Sequence, residues 1–166
     1  AQSLTEGLEV IHYNGQNNFT LQYPALLAPL VRSDSEDQIM IKLRIVASFI
    51  DILIARRIWN WKSTSYSSMQ YNMFQSVIMN IRGKSTSELA AVLYKRLNTD
   101  GETFSHNNRF SLHKMNRHQI HRLLARITDH IEIQSGYQSR YSEYTGSHGK
   151  KGYEVEHIWA DHSERH

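Results

Sequence analysis

The stretch SDSEDQIMIKLRIVASFIDILIARRIWNW, residues 33–61, decides the fold class. Ser33 with Glu36 three residues on has the form of a capping box, in which a hydroxyl and a carboxylate satisfy the first free N–H groups of a helix. Ile39, Leu43, Val46, Ile50, Leu53, Ile54 and Ile58 then recur at steps of three and four, the repeat of a single helix face. The spacing predicts one helix of roughly seven turns over about residues 34–61. Ile41, Ile45, Phe49 and Ile52 load a second face, so this helix is expected at the centre of the domain, buried on more than one side. Lys42, Arg44, Asp51, Arg56 and Arg57 are spread through the same window, and charges at those depths are costly in lipid, which excludes a membrane span. Arg56-Arg57 beside Trp59 and Trp61 leaves two readings open: core anchors with snorkelling arginines, or base stacking with phosphate contact.

Working outward, the flanks repeat the helical pattern on the C-terminal side. Met69, Met73, Phe74, Val77, Ile78 and Ile81 mark an amphipathic helix closed by Gly83. Ser85 and Glu88 form a second capping box, opening a helix with the face Leu89, Val92, Leu93 and Leu97. Asn116 is placed to cap a further helix whose apolar face, Ile120, Leu123, Leu124, Ile127 and Ile131, is expected to pack inward before Gly136 stops it. Toward the N-terminus the pattern is different: 7–13 and 19–23 alternate around Asn14-Gly15, which predicts a weak hairpin over residues 7–23, and Pro24 then suits a helix start. The expected architecture is mainly α, four to five helices around the long central one, with minor β at the termini. By domain, residues 1–137 are the helical body, the Tyr-, Ser-, Gly- and Lys-rich 138–152 a linker, and 153–166 a separate strand-opening segment.

Composition bounds the chemistry. With 166 residues the chain can bury a sizeable core, and with no cysteine it has no disulfide framework, thiolate metal site or cysteine nucleophile, which fits a cytoplasmic protein. No Walker loop or dinucleotide fingerprint is present, so nucleotide hydrolysis is not expected of this chain by itself. The sequence starts at Ala1 without a signal-peptide pattern and is expected to be a piece of a longer protein.

The net charge of +3 is small, but its distribution is not even. Between Ser105 and Ile131, Arg109, Lys114, Arg117, Arg122 and Arg126 face the single acid Asp129, with five histidines interspersed. This is either a solvated helix flank or a surface that contacts DNA phosphates. His118 and His121, three apart on a helix, have the spacing of a metal pair, but no third ligand lies nearby in sequence.

Near the C-terminus, Tyr153-Glu-Val-Glu-His-Ile-Trp-Ala-Asp-His162 alternates like a short strand ending in an acid–histidine pair. A carboxylate that holds a divalent cation beside an imidazole that takes a proton from water is what phosphodiester hydrolysis requires. The stretch around Glu156-His157-Ile158 resembles the opening strand of the HNH-type nuclease domain in GmrSD-like, modification-dependent restriction endonucleases. Ala55-Arg-Arg-Ile-Trp-Asn60 and the run from Asn116 to Ile131 resemble the helical region that joins nucleotide hydrolysis to cleavage in that family. The resemblance implies His157 as general base, Glu156 as ligand to Mg2+ (or Mn2+), DNA as substrate, and a nucleotide-hydrolysing domain as partner. Residues 153–166 would then be a truncated opening strand, and Ala160 stands where many family members have proline. Two other readings stay open: a non-catalytic DNA-contacting module, and a helical scaffold that binds only protein.

Overall fold

Ser35 closes the start of the long helix, two residues after the serine that the sequence pattern singled out. Its hydroxyl accepts from Gln38 N at 3.3 Å while Gln38 Oε1 accepts from Ser35 N at 2.9 Å, a complete capping box shifted from the expected Ser33–Glu36 pair. The shift frees Asp34 for another task. Its carboxylate accepts two bonds of 2.8 Å from Lys42 Nζ, which also donates to Pro29 O at 2.9 Å, so a lysine only 2% exposed is fully engaged. That pairing holds the Asp34 carboxyl below its usual range.

The computed structural model describes residues 5, 7–105, 117–146 and 151–155 and divides into two compact units, 1–110 and 111–166. In the first unit α1 (Glu9–Gln16), α2 (Gln22–Leu27) and α3 (Glu36–Trp59) are followed by α4 (Tyr66–Tyr71). The last of these continues through a π-helical stretch (Asn72–Ile78) into α5 (Met79–Ile81), and α6 (Thr86–Asn98) completes the unit. The second unit holds α7 (Arg117–Gln134) and α8 (Tyr141–Thr145). The fold is mainly α, as the periodicity predicts.

The long helix is the centre of the first unit because three other helices, α1, α2 and α6, pack on it. Val46, Ala47, Phe49, Ile50, Leu53 and Ile54 are buried, drawn from both of the apolar faces read from the sequence. Each fully buried Ile or Leu here contributes roughly 1.5–3 kcal/mol of transfer free energy. Phe19, Leu21, Ala25 and Leu26 join this core from the N-terminal segment, and Met69, Met73, Val77, Ile81, Leu89 and Leu93 close it. The second capping box stands where it was expected: Ser85 N donates to Glu88 Oε2 at 3.0 Å.

Four expectations differ from the structure. The hairpin over residues 7–23 is absent; 9–16 and 22–27 are helical, and Asn14-Gly15 lies inside α1 with Asn14 buried and Nδ2 donating to Ala47 O at 3.5 Å. A two-residue alternation around Val10 and Phe19 is too short to specify a strand with no partner sheet, and packing on α3 overrides it. The linker 138–152 contains α8, whose Tyr141 and Tyr144, one turn apart, are both buried. The face of α7 expected to pack inward is instead largely exposed at Leu124, Ile127 and Ile131, and the buried positions are Ile120, Ala125 and Asp129. The short α8 packs on α7, and its own N-terminal turn is tied to the Asp129 side. The expected domain boundary at 137/138 also differs from the division of the units at 110/111.

The two long helices end in the same way with different residues. At the end of α7, Tyr137 N donates to Glu132 O and Gly136 N to Ile133 O, both at 3.0 Å, with Gly136 at φ +89. At the end of α3, Lys62 N donates to Arg57 O at 2.8 Å and Trp61 N to Ile58 O at 3.1 Å, with Trp61 at φ +59. Both are Schellman closures, in which the left-handed position normally belongs to glycine. A tryptophan in that position costs about 1–2 kcal/mol relative to a right-handed conformation.

Candidate functional site

The second unit is organised by a buried acid. Asp129, 3% exposed, accepts from Arg140 N at 2.6 Å and from Ser139 Oγ at 2.9 Å, so the carboxylate on α7 satisfies the free N–H at the start of α8. Arg140 in turn reaches three ways: Nε to Glu143 at 2.9 Å, Nη1 to Glu132 at 3.5 Å, and Nη2 to the Tyr153 hydroxyl at 3.1 Å. Its guanidinium also lies over the Tyr144 ring at 5.5 Å. These contacts keep the Arg140 pKa above its usual value, Glu143 being the main cause. A hydrogen bond to Glu132, with burial, pushes the Tyr144 phenol up to about 12.

Residues 151–155 return onto this frame. Tyr153 N donates to Tyr144 O at 3.0 Å, and Gly152 lies so close to the end of α8 that a Cβ there would sit 2.5 Å from Tyr144 O. Only glycine permits that approach. Tyr153 to Val155 take no strand geometry.

Between the first turns of α7 and this returning segment lies a cleft of about 270 Å³, lined by Arg117, His118 and His121 on one side and Lys151, Glu154 and Val155 on the other. Lys151 and Glu154 form an ion pair within it. The Glu154 carboxyl is held below its usual range by Lys151 first and by the Arg117 charge more weakly, so both cations act on one acid. Two permanent cations, two imidazoles and one ion-paired carboxylate make a lining suited to an anion with several oxygens.

Of the residues expected to contact DNA, Arg117 lines the cleft. Arg122 and Arg126 are half-buried on the same helix and are not part of its lining. Arg109 and Lys114, the general-base candidate His157 and the metal-ligand candidate Glu156 lie outside the described residues, as does Asn116. The sequence reading places Lys151 in the linker 138–152 and Glu154 in the alternating stretch from Tyr153, and assigns neither to a site. The signal available was the Lys150-Lys151 pair set between glycines just before Tyr153.

His118 and His121 both line this cleft. Among the described residues, no three His, Asp or Glu side chains are grouped so as to hold a metal ion. Glu154 is committed to Lys151, so the described lining does not fit a hard cation such as Mg2+, which calls for several oxygen ligands. In the first unit, Arg56 Nη1 donates to Leu97 O at 2.7 Å, and Arg57 donates from Nε and Nη2 to Ser63 O at 2.9 and 2.8 Å. Trp59 meets Phe104 edge to face at 6.2 Å. These three side chains follow the anchor reading, whereas Trp61 is 48% exposed. Among the described residues, no helix is long and apolar enough to cross a membrane. No protein-family model, curated protein or solved structure matches the chain.

Proposed function

We propose that the second unit grips the phosphodiester backbone of DNA and leads it to the Glu156-His157 pair of an HNH-type nuclease domain. The observation that carries this reading is the convergence of Arg117, His118, His121 and Lys151 on one cleft that is also lined by Val155, two residues before His157 in the sequence. Arginine and lysine supply the charge that phosphate oxygens require, and neutral or protonated imidazoles add N–H donors. His157 is the proton acceptor for the attacking water in this reading, and Glu156 the ligand that the family resemblance supplies for Mg2+ or Mn2+. The helical first unit, in the same reading, serves as the coupler to a nucleotide-hydrolysing domain.

A second reading has its own support. The cleft lining is already complementary to phosphate without Glu156 or His157, which is enough for a module that holds DNA and does not cut it. The two readings separate on His157→Ala, compared with the parent for duplex binding and for Mg2+-dependent cleavage in the longest natural form of the protein. Binding retained with cleavage down roughly 100- to 10,000-fold supports the nuclease. Cleavage at the parental rate removes His157 from the chemistry.

A further inference from the structure

We infer that the cleft of the second unit seats the phosphomonoester at the end of a DNA strand, so that phosphorylated ends are told apart from unphosphorylated ones. The inference rests on the reading of this cleft as a phosphate grip and narrows the group that is gripped. The cleft volume, about 270 Å³, falls just below the roughly 300–1,000 Å³ of pockets that enclose small ligands. Arg117, His118, His121 and Lys151 thus converge on a space for one phosphate group, whereas a groove for continuous backbone needs cations spread along a track. That track is missing from the lining: Arg122 and Arg126, the next cations along α7, are not part of it. The donors are also uncommitted. Among the described residues, Arg117, His118 and His121 make no hydrogen bond or ion pair, while the Lys151 ammonium is held by Glu154.

Charge separates the two kinds of phosphate. A phosphodiester carries one negative charge, whereas a terminal monoester carries close to two at neutral pH and has three oxygens free to accept. Two permanent cations against the Glu154 carboxylate leave the lining one net positive charge with neutral imidazoles, and more with protonated ones. The Arg117 fork can serve two oxygens at once, and imidazole N–H groups the third. Drawing Lys151 away from Glu154 has a fixed cost, which a dianion offsets more readily than a monoanion does.

The test uses the whole chain and a short DNA duplex carrying 5′-phosphates, 3′-phosphates or neither, with affinity read by fluorescence anisotropy from an internal label. The wild type should bind one phosphorylated duplex about 10- to 150-fold more tightly than the unphosphorylated one, the worth of a charge-assisted contact. Arg117→Ala and His121→Ala should each bring that ratio close to one; Arg117 is exposed, so its removal spares the fold. Arg117→Lys keeps the charge and loses the fork, and should keep part of the preference. Equal, salt-dependent affinity for all three duplexes would overturn the inference and leave the phosphate grip standing, whereas no salt-dependent binding to any of them would remove both. A preference for terminal phosphate that survives both Arg117→Ala and His121→Ala would seat the strand end elsewhere and overturn the assignment. Thymidine monophosphate offers the same group without a strand. Competition by it at the affinity of the phosphorylated duplex would make the occupant a free nucleotide and overturn the strand-end assignment; displacement only at far higher concentration supports it.

Discussion

Tyr153 is clamped to Tyr144 twice, by the 3.0 Å bond from its N–H to Tyr144 O and by an edge-to-face ring contact of 5.2 Å. The clamp sets the wall of the cleft, and it depends on Gly152, where an added methyl would also meet Gly146 N at 2.6 Å. The contacted atoms are backbone and cannot swing aside. Gly152→Ala should therefore release residues 151–155 from α8, raising amide exchange at Tyr153 while leaving the helices of the first unit intact by circular dichroism. Protection of the Tyr153 amide at the parental level in that variant would contradict the clamp.

The Tyr144 phenol, raised to about 12 by Glu132, gives a spectroscopic marker for the same region. In an absorbance titration the Tyr144 phenol should ionise only at about pH 12, and Glu132→Gln should return it toward the ordinary range. The sign for stability follows from the raised value. The neutral phenol's contribution is complete below about pH 10, the usual value for an unfolded tyrosine, and fades as pH rises toward about 12.

Asp34 and Lys42 govern the acid side. Because the Asp34 carboxyl is held below its ordinary value of 3.8 by the Lys42 hydrogen bonds, its contribution is present above that value and lost as pH falls through the lower folded one. Asp34→Asn should lower the melting temperature at neutral pH by several degrees, since it leaves a buried ammonium without its counter-charge. The gap between variant and parent should close below about pH 4, as the parent's own Asp34 protonates. A gap that stays constant down to pH 2 would show that the ion pair is not the cause.

The helix caps were the most legible part of the sequence, and they can be tested at both ends of that legibility. Ser85→Ala and Ser35→Ala should each cost about 0.5–2 kcal/mol in denaturant unfolding, whereas Ser33→Ala should cost almost nothing. If Ser33→Ala proved the costlier, the cap would lie where the sequence pattern first placed it.

That contrast shows what the sequence could convey. Ser33 and Ser35 both have an acid or amide three residues on, Glu36 and Gln38, so the pattern alone could not choose between them. Asp34 decides it by turning to Lys42, a contact eight residues away. The interior of α3 was readable because eleven apolar positions in one window leave no other period. The N-terminal helices were not, since Val10, Ile11 and Phe19 are too few to fix a period and only packing on α3 makes them helical. In the second unit, Tyr141 and Tyr144 read as polar linker residues, and their burial depends on a tie between Asp129 and Arg140 that spans 11 residues. Arg117 was legible as one of a run of cations between Ser105 and Ile131. Its partners Lys151 and Glu154 were not, because they reach the cleft only through the close approach at Gly152.

The measurement that bears most directly on the cleft is the salt dependence of duplex DNA binding by the wild type and by Arg117→Ala/Lys151→Ala. If these two side chains contact phosphates, wild-type affinity should fall steeply between about 50 and 200 mM salt, and the double variant should flatten the log–log slope by up to about two units, roughly 0.9 per lost contact. A wild-type slope near zero, or an identical slope in the double variant, would contradict a phosphate-gripping cleft.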